Sequence, residues 1–243
     1  MKKFRNLFAG LFALSFGLFA LVSCDKNDDP TPTPLKAVVD VFIQDIKPDG
    51  GVKYAIHVYA SANYEIKSAK VTAPGTNGKV YQLTATSKKD QFIFVPQAAE
   101  YTTELPAKGD YSFEIISTSG EKITGKDVVG DEKLAPIAIK TAAMANNLLK
   151  TTWDKVQGSD AYLVRLYSAN KAEILFQSTT LASDKVAYEF GATTSGWATG
   201  KSPVVNTNYV VEFVGAKFET GVTVDKGNNV QFITLDSKTI KWE

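Results

Sequence analysis

The segment LKTTWDKVQGSDAYLVRL, residues 149–166, reads as two extended strands and the turn between them. Side chains alternate sides along a β-strand, so Leu149, Thr151 and Trp153 share one face of the first strand, and Tyr162, Val164 and Leu166 share one face of the second. Asp154 to Asp160 is polar and contains Gly158, which is turn chemistry. Each strand has one face to bury and one to leave in water, and this sets the fold class as all-β.

The same pattern extends outward in both directions. Thr207-Asn208-Tyr209-Val210-Val211-Glu212-Phe213 is a further alternating strand. Together the spacings of Trp153, Tyr162 and Tyr209 resemble the B, C and F strands of a fibronectin type III domain. That resemblance covers roughly residues 137–225. It implies a β-sandwich with Trp153 and Tyr162 in the core and Tyr209 at the corner position. Two departures stand out. The connection of residues 191–208, GATTSGWATGKSPVVNTN, is longer than usual, and the chain continues after Asp225 through Val230, Phe232, Ile233, Ile240 and Trp242. The tail is expected to add a strand or hairpin.

Toward the N-terminus, Val52, Tyr54, Ile56 and Val58 alternate with Lys53, Ala55, His57 and Tyr59, and the second set is expected to face out. Further strands are expected at 36–43, 64–73, 79–86, 91–95, 110–118 and 121–129, with a bulge or change of sheet near Ser68, where the apolar alternation switches phase. The stretch from Pro106 to Ile115 resembles a late strand of bacterial immunoglobulin-like modules, which implies a buried Tyr111 whose hydroxyl bonds nearby backbone. The expected organisation is two tandem sandwiches, immunoglobulin-like over 35–130 and fibronectin type III-like over 134–243.

Residues 1–34 belong to neither. Lys2, Lys3 and Arg5 precede an apolar run from Leu7 to Val22, the form of an export signal. As a helix that run spans about 24 Å, short of the ~30 Å of a bilayer core. It ends in Leu21-Val22-Ser23-Cys24, which resembles the lipobox of bacterial lipoproteins, and Cys24 is the sole cysteine. The resemblance implies a leader of residues 1–23, acylation of Cys24, and a membrane partnership made through acyl chains, each buried methylene contributing about 0.8 kcal/mol. Asp25 to Pro34 is polar and proline-rich, a tether reaching about 30 Å if extended. Within it Asp25, Lys26, Asn27, Asp28 and Asp29 resemble the acidic signal that directs lipoproteins of the Bacteroidetes to the cell surface. Asp25, Asn27 and Asp29 also have calcium-loop spacing, but Pro30 stands where that loop needs glycine and Lys36 where it needs glutamate. No metal is expected there.

Composition narrows the function. Without Lys2, Lys3 and Arg5 the chain carries 24 basic against 26 acidic residues, and Arg165 is its only other arginine, so nucleic acid is not an expected partner. His57 is the only histidine. There is no zinc cluster, no phosphate loop and no dinucleotide fingerprint, so neither cofactor nor catalytic residue is expected. A binding or structural lipoprotein of the outer membrane follows, with a glycan or protein as the partner. The alternatives are a periplasm-facing scaffold that binds protein and, further off, a carbohydrate-active enzyme. Trp197, between glycines and poor in local apolar neighbours, is expected to fold back and plug the sandwich end, and is otherwise the first candidate for ligand binding; Tyr167 and Tyr59 are expected outward and secondary.

Overall fold

The computed structural model describes residues 33–48, 51–75, 78–222 and 229–243. Cys24, the Asp25 to Asp29 stretch and the leader lie outside the described residues. Apart from one 3-10 turn, Ala98–Glu100, every regular element among the described residues is a strand.

The first module contains β1 (Ala37–Ile46), β2 (Lys53–Ala62), β3 (Ile66–Thr72), β4 (Val80–Gln82), β5 (Thr84–Ala85), β6 (Gln91–Phe94), β7 (Gly109–Ser117) and β8 (Lys122–Val129). One layer runs β1-β2-β6-β5 and the other β4-β3-β7-β8. This is the immunoglobulin arrangement, strands A-B-E-D over C′-C-F-G. The expected strand at 79–86 is two strands, because the chain changes layer within it: β4 pairs with β3 and β5 with β6. Leu83 is buried at the crossing, where its amide bonds the Ala69 carbonyl at 3.0 Å. The expected irregularity near Ser68 is a register shift between Ile66 and Ser68, which brings Ile66, Ala69 and Val71 to one core face.

The second module contains β9 (Ile139–Ala145), β10 (Leu148–Trp153), β11 (Ala161–Ser168), β12 (Ile174–Gln177), β13 (Leu181–Ala182), β14 (Ala187–Phe190), β15 (Asn208–Phe218) and β16 (Val230–Lys241). The layer β14-β10-β9 packs over β12-β11-β15-β16, with β13 also on β11. Trp153 is 1% exposed, its ring 5.5 Å from Tyr162 and 5.1 Å from Phe213. Tyrosine hydroxyls pin the module ends. Tyr111 donates to Ala107 O at 2.8 Å, while Tyr162 and Tyr209 accept from the amides of Val156 and Val204, each at 2.8 Å.

The C-terminal tail is more than an added hairpin. β16 pairs antiparallel with β15 along its whole length and, on its other edge, parallel with β1 at Ile43↔Phe232 and Gln44↔Ile233. One layer of each module is thereby fused into a single nine-stranded sheet. Side chains of β16 also hold the linker: Gln231 bonds Gly130 N and Val128 O, Thr234 bonds Ile137 N, and Asp236 bonds Ile139 N. Leu134 and Ile137 of that linker are buried in a hydrophobic cluster that runs from Leu35 to Trp242.

This continuity makes the two modules a cooperative unit. All three tryptophans lie in the second module, so tryptophan fluorescence should melt together with far-ultraviolet dichroism, which reports both. Trp153→Ala should destabilise the chain by about 3–5 kcal/mol through cavity formation, measured by chemical denaturation, and should move both signals together.

Candidate functional site

A sheet with one face in water should alternate strictly, and four strands here do not. β1, β2, β15 and β16 place apolar groups at both alternations: Phe42 beside Val41 and Ile43, Tyr59 beside Val58 and Ala60, Val214 beside Phe213, and Ile233 beside Phe232. Both faces are therefore covered. Phe42, Tyr59, Ile93, Val214, Val230 and Ile233 form a second buried cluster on the face of the fused sheet that points away from the sandwich cores. That face is concave, because residues from both modules line one cavity on it, with a volume of about 290 Å³.

This corrects the expectation for β2. Ala55, His57 and Tyr59 are buried, not outward in water, and Tyr167 of β11 is 1% exposed. Alternation correctly assigned these residues to the face away from the sandwich core. It could not reveal what packs on that face: Tyr101 and Phe42 on His57, Glu212 and Lys171 on Tyr167, and a cluster of residues from both modules around Tyr59.

The cavity has an apolar wall, Ile46, Val95, Pro96, Ala98 and Leu235, and a polar wall made by both modules. From the first module, Gln44 Nε2 donates to Tyr101 Oη at 3.0 Å, and Tyr101 Oη lies 2.8 Å from His57 Nε2. The phenol thus joins the amide of Gln44 to the imidazole of His57. The His57 ring also stacks on Phe42, with centroids 5.5 Å apart. Burial pushes the histidine down to about 3 and raises the Tyr101 phenol. His57 is thus neutral at any ordinary pH. Tyr101 is delivered by the turn after β6, where Tyr54 and Thr102 exchange backbone bonds of 2.7 and 3.0 Å.

From the second module comes Glu212 of β15, 2% exposed. Tyr167 Oη donates to its Oε1 at 3.1 Å, Arg165 stands 3.5 Å away, and Lys171 Nζ reaches Oε2 at 3.4 Å. Lys171 also donates to Ser237 Oγ at 3.0 Å. Glu212 is thus paired with cations from β11 and the turn that follows it, as a buried carboxylate requires. Lys171, Glu212, Asp236 and Ser237 all line the cavity, across from Gln44, His57 and Tyr101.

Trp197 is elsewhere. Its ring lies 5.2 Å from Phe176, 6.3 Å from Phe190 and 5.9 Å from Trp242, and its Nε1 donates to Gly191 O at 3.0 Å. It closes the end of the second sandwich, half-buried. Gly196 makes the approach possible: its φ is +120°, and a Cβ there would lie 2.3 Å from Gln177 O. Of the residues marked from sequence, Tyr59 and Tyr167 lie on the same sheet face as the cavity without lining it, and Trp153, Tyr162, Tyr209 and Tyr111 are buried in the sandwiches.

Sequence reasoning missed Gln44, Tyr101, Lys171 and Glu212. A signal for two of them was present. Gln44 and Glu212 are polar residues among apolar neighbours of the same alternation, Phe42 before one, Val210 and Val214 around the other. Lys171 and Tyr101 sit in turns and carry no such mark.

No family model matches this sequence, and no curated protein matches it. Among solved structures, a two fibronectin type III domain segment from chicken tenascin is similar over 76% of this chain and 91% of its own, with 13% identity and a TM-score of 0.30. The description of the fold as tandem β-sandwiches stands on the strand order above.

His57 makes the site's pH response calculable. The unfolded chain takes a proton near pH 6.5, whereas the folded histidine resists it until about 3. Stability is therefore full above 6.5 and falls as pH drops toward 3. Against His57→Phe, and apart from a pH-independent offset, the wild type should lose about 2–3 kcal/mol between pH 7 and 4.5. Urea denaturation across that range measures the difference.

Proposed function

We propose that this chain is a non-catalytic binding lipoprotein, held at the outer membrane by acyl groups on Cys24 and displayed at the cell surface, which takes a small polar ligand, a sugar unit of a glycan, in the cavity between its modules. The observation that carries the binding reading is the cavity itself, lined by both modules and furnished with amide, phenol, imidazole, ammonium, carboxylate and hydroxyl groups beside an apolar wall. Its volume lies at the low end of the ~300–1,000 Å³ usual for ligand sites, which suits a single sugar ring better than a cofactor. Hydroxyl groups on such a ring would meet Lys171 and Ser237 on one side and Gln44 on the other, while its C–H face would lie on Pro96 and Leu235.

The chemistry of these groups favours holding over transforming. A histidine titrating near 3 is a poor base at neutral pH. Glu212, bonded by Tyr167 and flanked by Arg165 and Lys171, is committed to its neighbours. Neither residue is set up as a proton carrier. The location rests on the lipobox and acidic tether, whose residues precede the described structure.

Two experiments test this. On a glycan array the full chain should bind a defined set of glycans. Lys171→Ala, or a bulky ring introduced by Ala98→Trp at the rim, should weaken that binding roughly tenfold or more, whereas Trp197→Ala should lower stability and leave affinity intact. Binding that ignores both cavity variants, or no glycan bound at all, overturns the ligand assignment. Separately, in cells, fatty-acid labelling should be lost in Cys24→Ala, and protease added to intact cells should digest the wild-type protein. A labelled but protected chain would place it facing the periplasm.

A further inference from the structure

At the opposite end of the β1–β16 joint, three carboxylates meet. Asp40 comes from β1, Asp127 from β8, and Glu219 from the segment following β15, so two are supplied by the first module and one by the second. One oxygen from each lies within 4.8 Å of the others. Asp40 is 1% exposed, and neither of its oxygens has a hydrogen-bond donor in good geometry; the Val230 amide offers it only a weak pull. Oε1 of Glu219 is buried without a donor as well. A carboxylate removed from water with no donor is costly, and an adjoining pair of acids deepens that cost instead of relieving it.

Other groups around the cluster are accounted for. Asp127 accepts from the amides of Val41 and Val128 through its two oxygens, at 2.5 and 2.8 Å, and Asn229 donates to Glu219 Oε2 at 3.3 Å. These bonds orient the carboxylates and supply no positive charge. Among the described residues no lysine or arginine is ion-paired with any of the three.

We propose that Asp40, Asp127 and Glu219 bind a divalent cation of the hard, oxygen-seeking class, calcium foremost, which bridges the two modules. An all-carboxylate set with neither nitrogen nor sulfur selects against zinc and copper. Calcium bonds oxygen at about 2.3–2.6 Å, so two of its ligands can stand up to about 5 Å apart, and it accepts six to eight oxygens, leaving positions for water. Magnesium, which demands a strict octahedron at about 2.0–2.1 Å and gives up its water reluctantly, suits a set of buried carboxylates less well.

The test uses the full chain stripped with EDTA. Calcium chloride should bind with a stoichiometry of one by titration calorimetry and raise the melting temperature by about 5 °C or more at a hundredfold excess over Kd, with magnesium less effective. Glu219→Gln, at a half-exposed position, should fold normally and weaken calcium binding roughly tenfold or more. Asp40→Asn should melt above the wild type in EDTA, because it removes the buried charge, and should gain little from calcium. A wild type that neither binds calcium nor changes its melting temperature overturns the proposal, as does a calcium response retained in both variants.

Discussion

The structure depends on β16 having two occupied edges. A terminal strand of a sandwich normally leaves one row of backbone groups unpaired, an edge that must be blunted to prevent aggregation. Here that row meets β1 of the other module in parallel register at Ile43↔Phe232 and Gln44↔Ile233, and where the backbone pairing ends, Asp45 accepts from Leu235 N at 3.2 Å. Gln231, Thr234 and Asp236 also hold the linker backbone at Gly130, Ile137 and Ile139 against the same strand. A single strand joins the two modules into one sheet.

Fusing the layers changes what their outer faces can contain. In a lone sandwich, Phe42, Tyr59, Val214 and Ile233 would be apolar groups in water. On the fused sheet they cover one another and form a second core. Where the apolar cover stops, the same concave face turns polar, with Gln44, His57 and Tyr101 opposite Lys171 and Glu212. Polar groups in such a place must be bonded or they destabilise the fold; the Gln44–Tyr101–His57 chain and the ion-paired Glu212 meet part of that demand, while Gln44 Oε1 and Arg165 Nη2 have no protein partner among the described residues. The cavity is the part of this face that the protein does not fill with its own side chains.

The joint thus presents two different chemistries. Toward the turn after β11 lies a cavity of mixed character and balanced charge. Toward the segment after β15 lies a concentration of negative charge, Asp40, Asp127 and Glu219, without a matching cation among the described residues. Both combine residues of the two modules, so both report on the same alignment. Anything that loosened β1 from β16 would disperse the two together, which links rigidity of the joint to whatever binds there.

Much of the architecture could be read from the chain alone. The alternation around Trp153, Tyr162 and Tyr209 specified half-buried strands, and the phase change near Ser68 located a bulge, because side-chain period and turn chemistry are local properties. The exposure of β2 and β11 was misread for the same reason. Alternation says which residues lie opposite the core, and His57, Tyr59 and Tyr167 do lie there, but whether they meet water or protein is decided by residues distant in sequence, Tyr101 for His57, the cluster with Val214 and Ile233 for Tyr59, and Glu212 for Tyr167. Trp197, isolated between glycines, finds its partners in Phe176, Phe190 and Trp242 only after the chain has closed. The amino-acid order by itself determined strands, turns and two sandwiches. The shared sheet, the cavity and the meeting of three carboxylates were decided by tertiary structure, since each requires residues whose proximity no local pattern encodes.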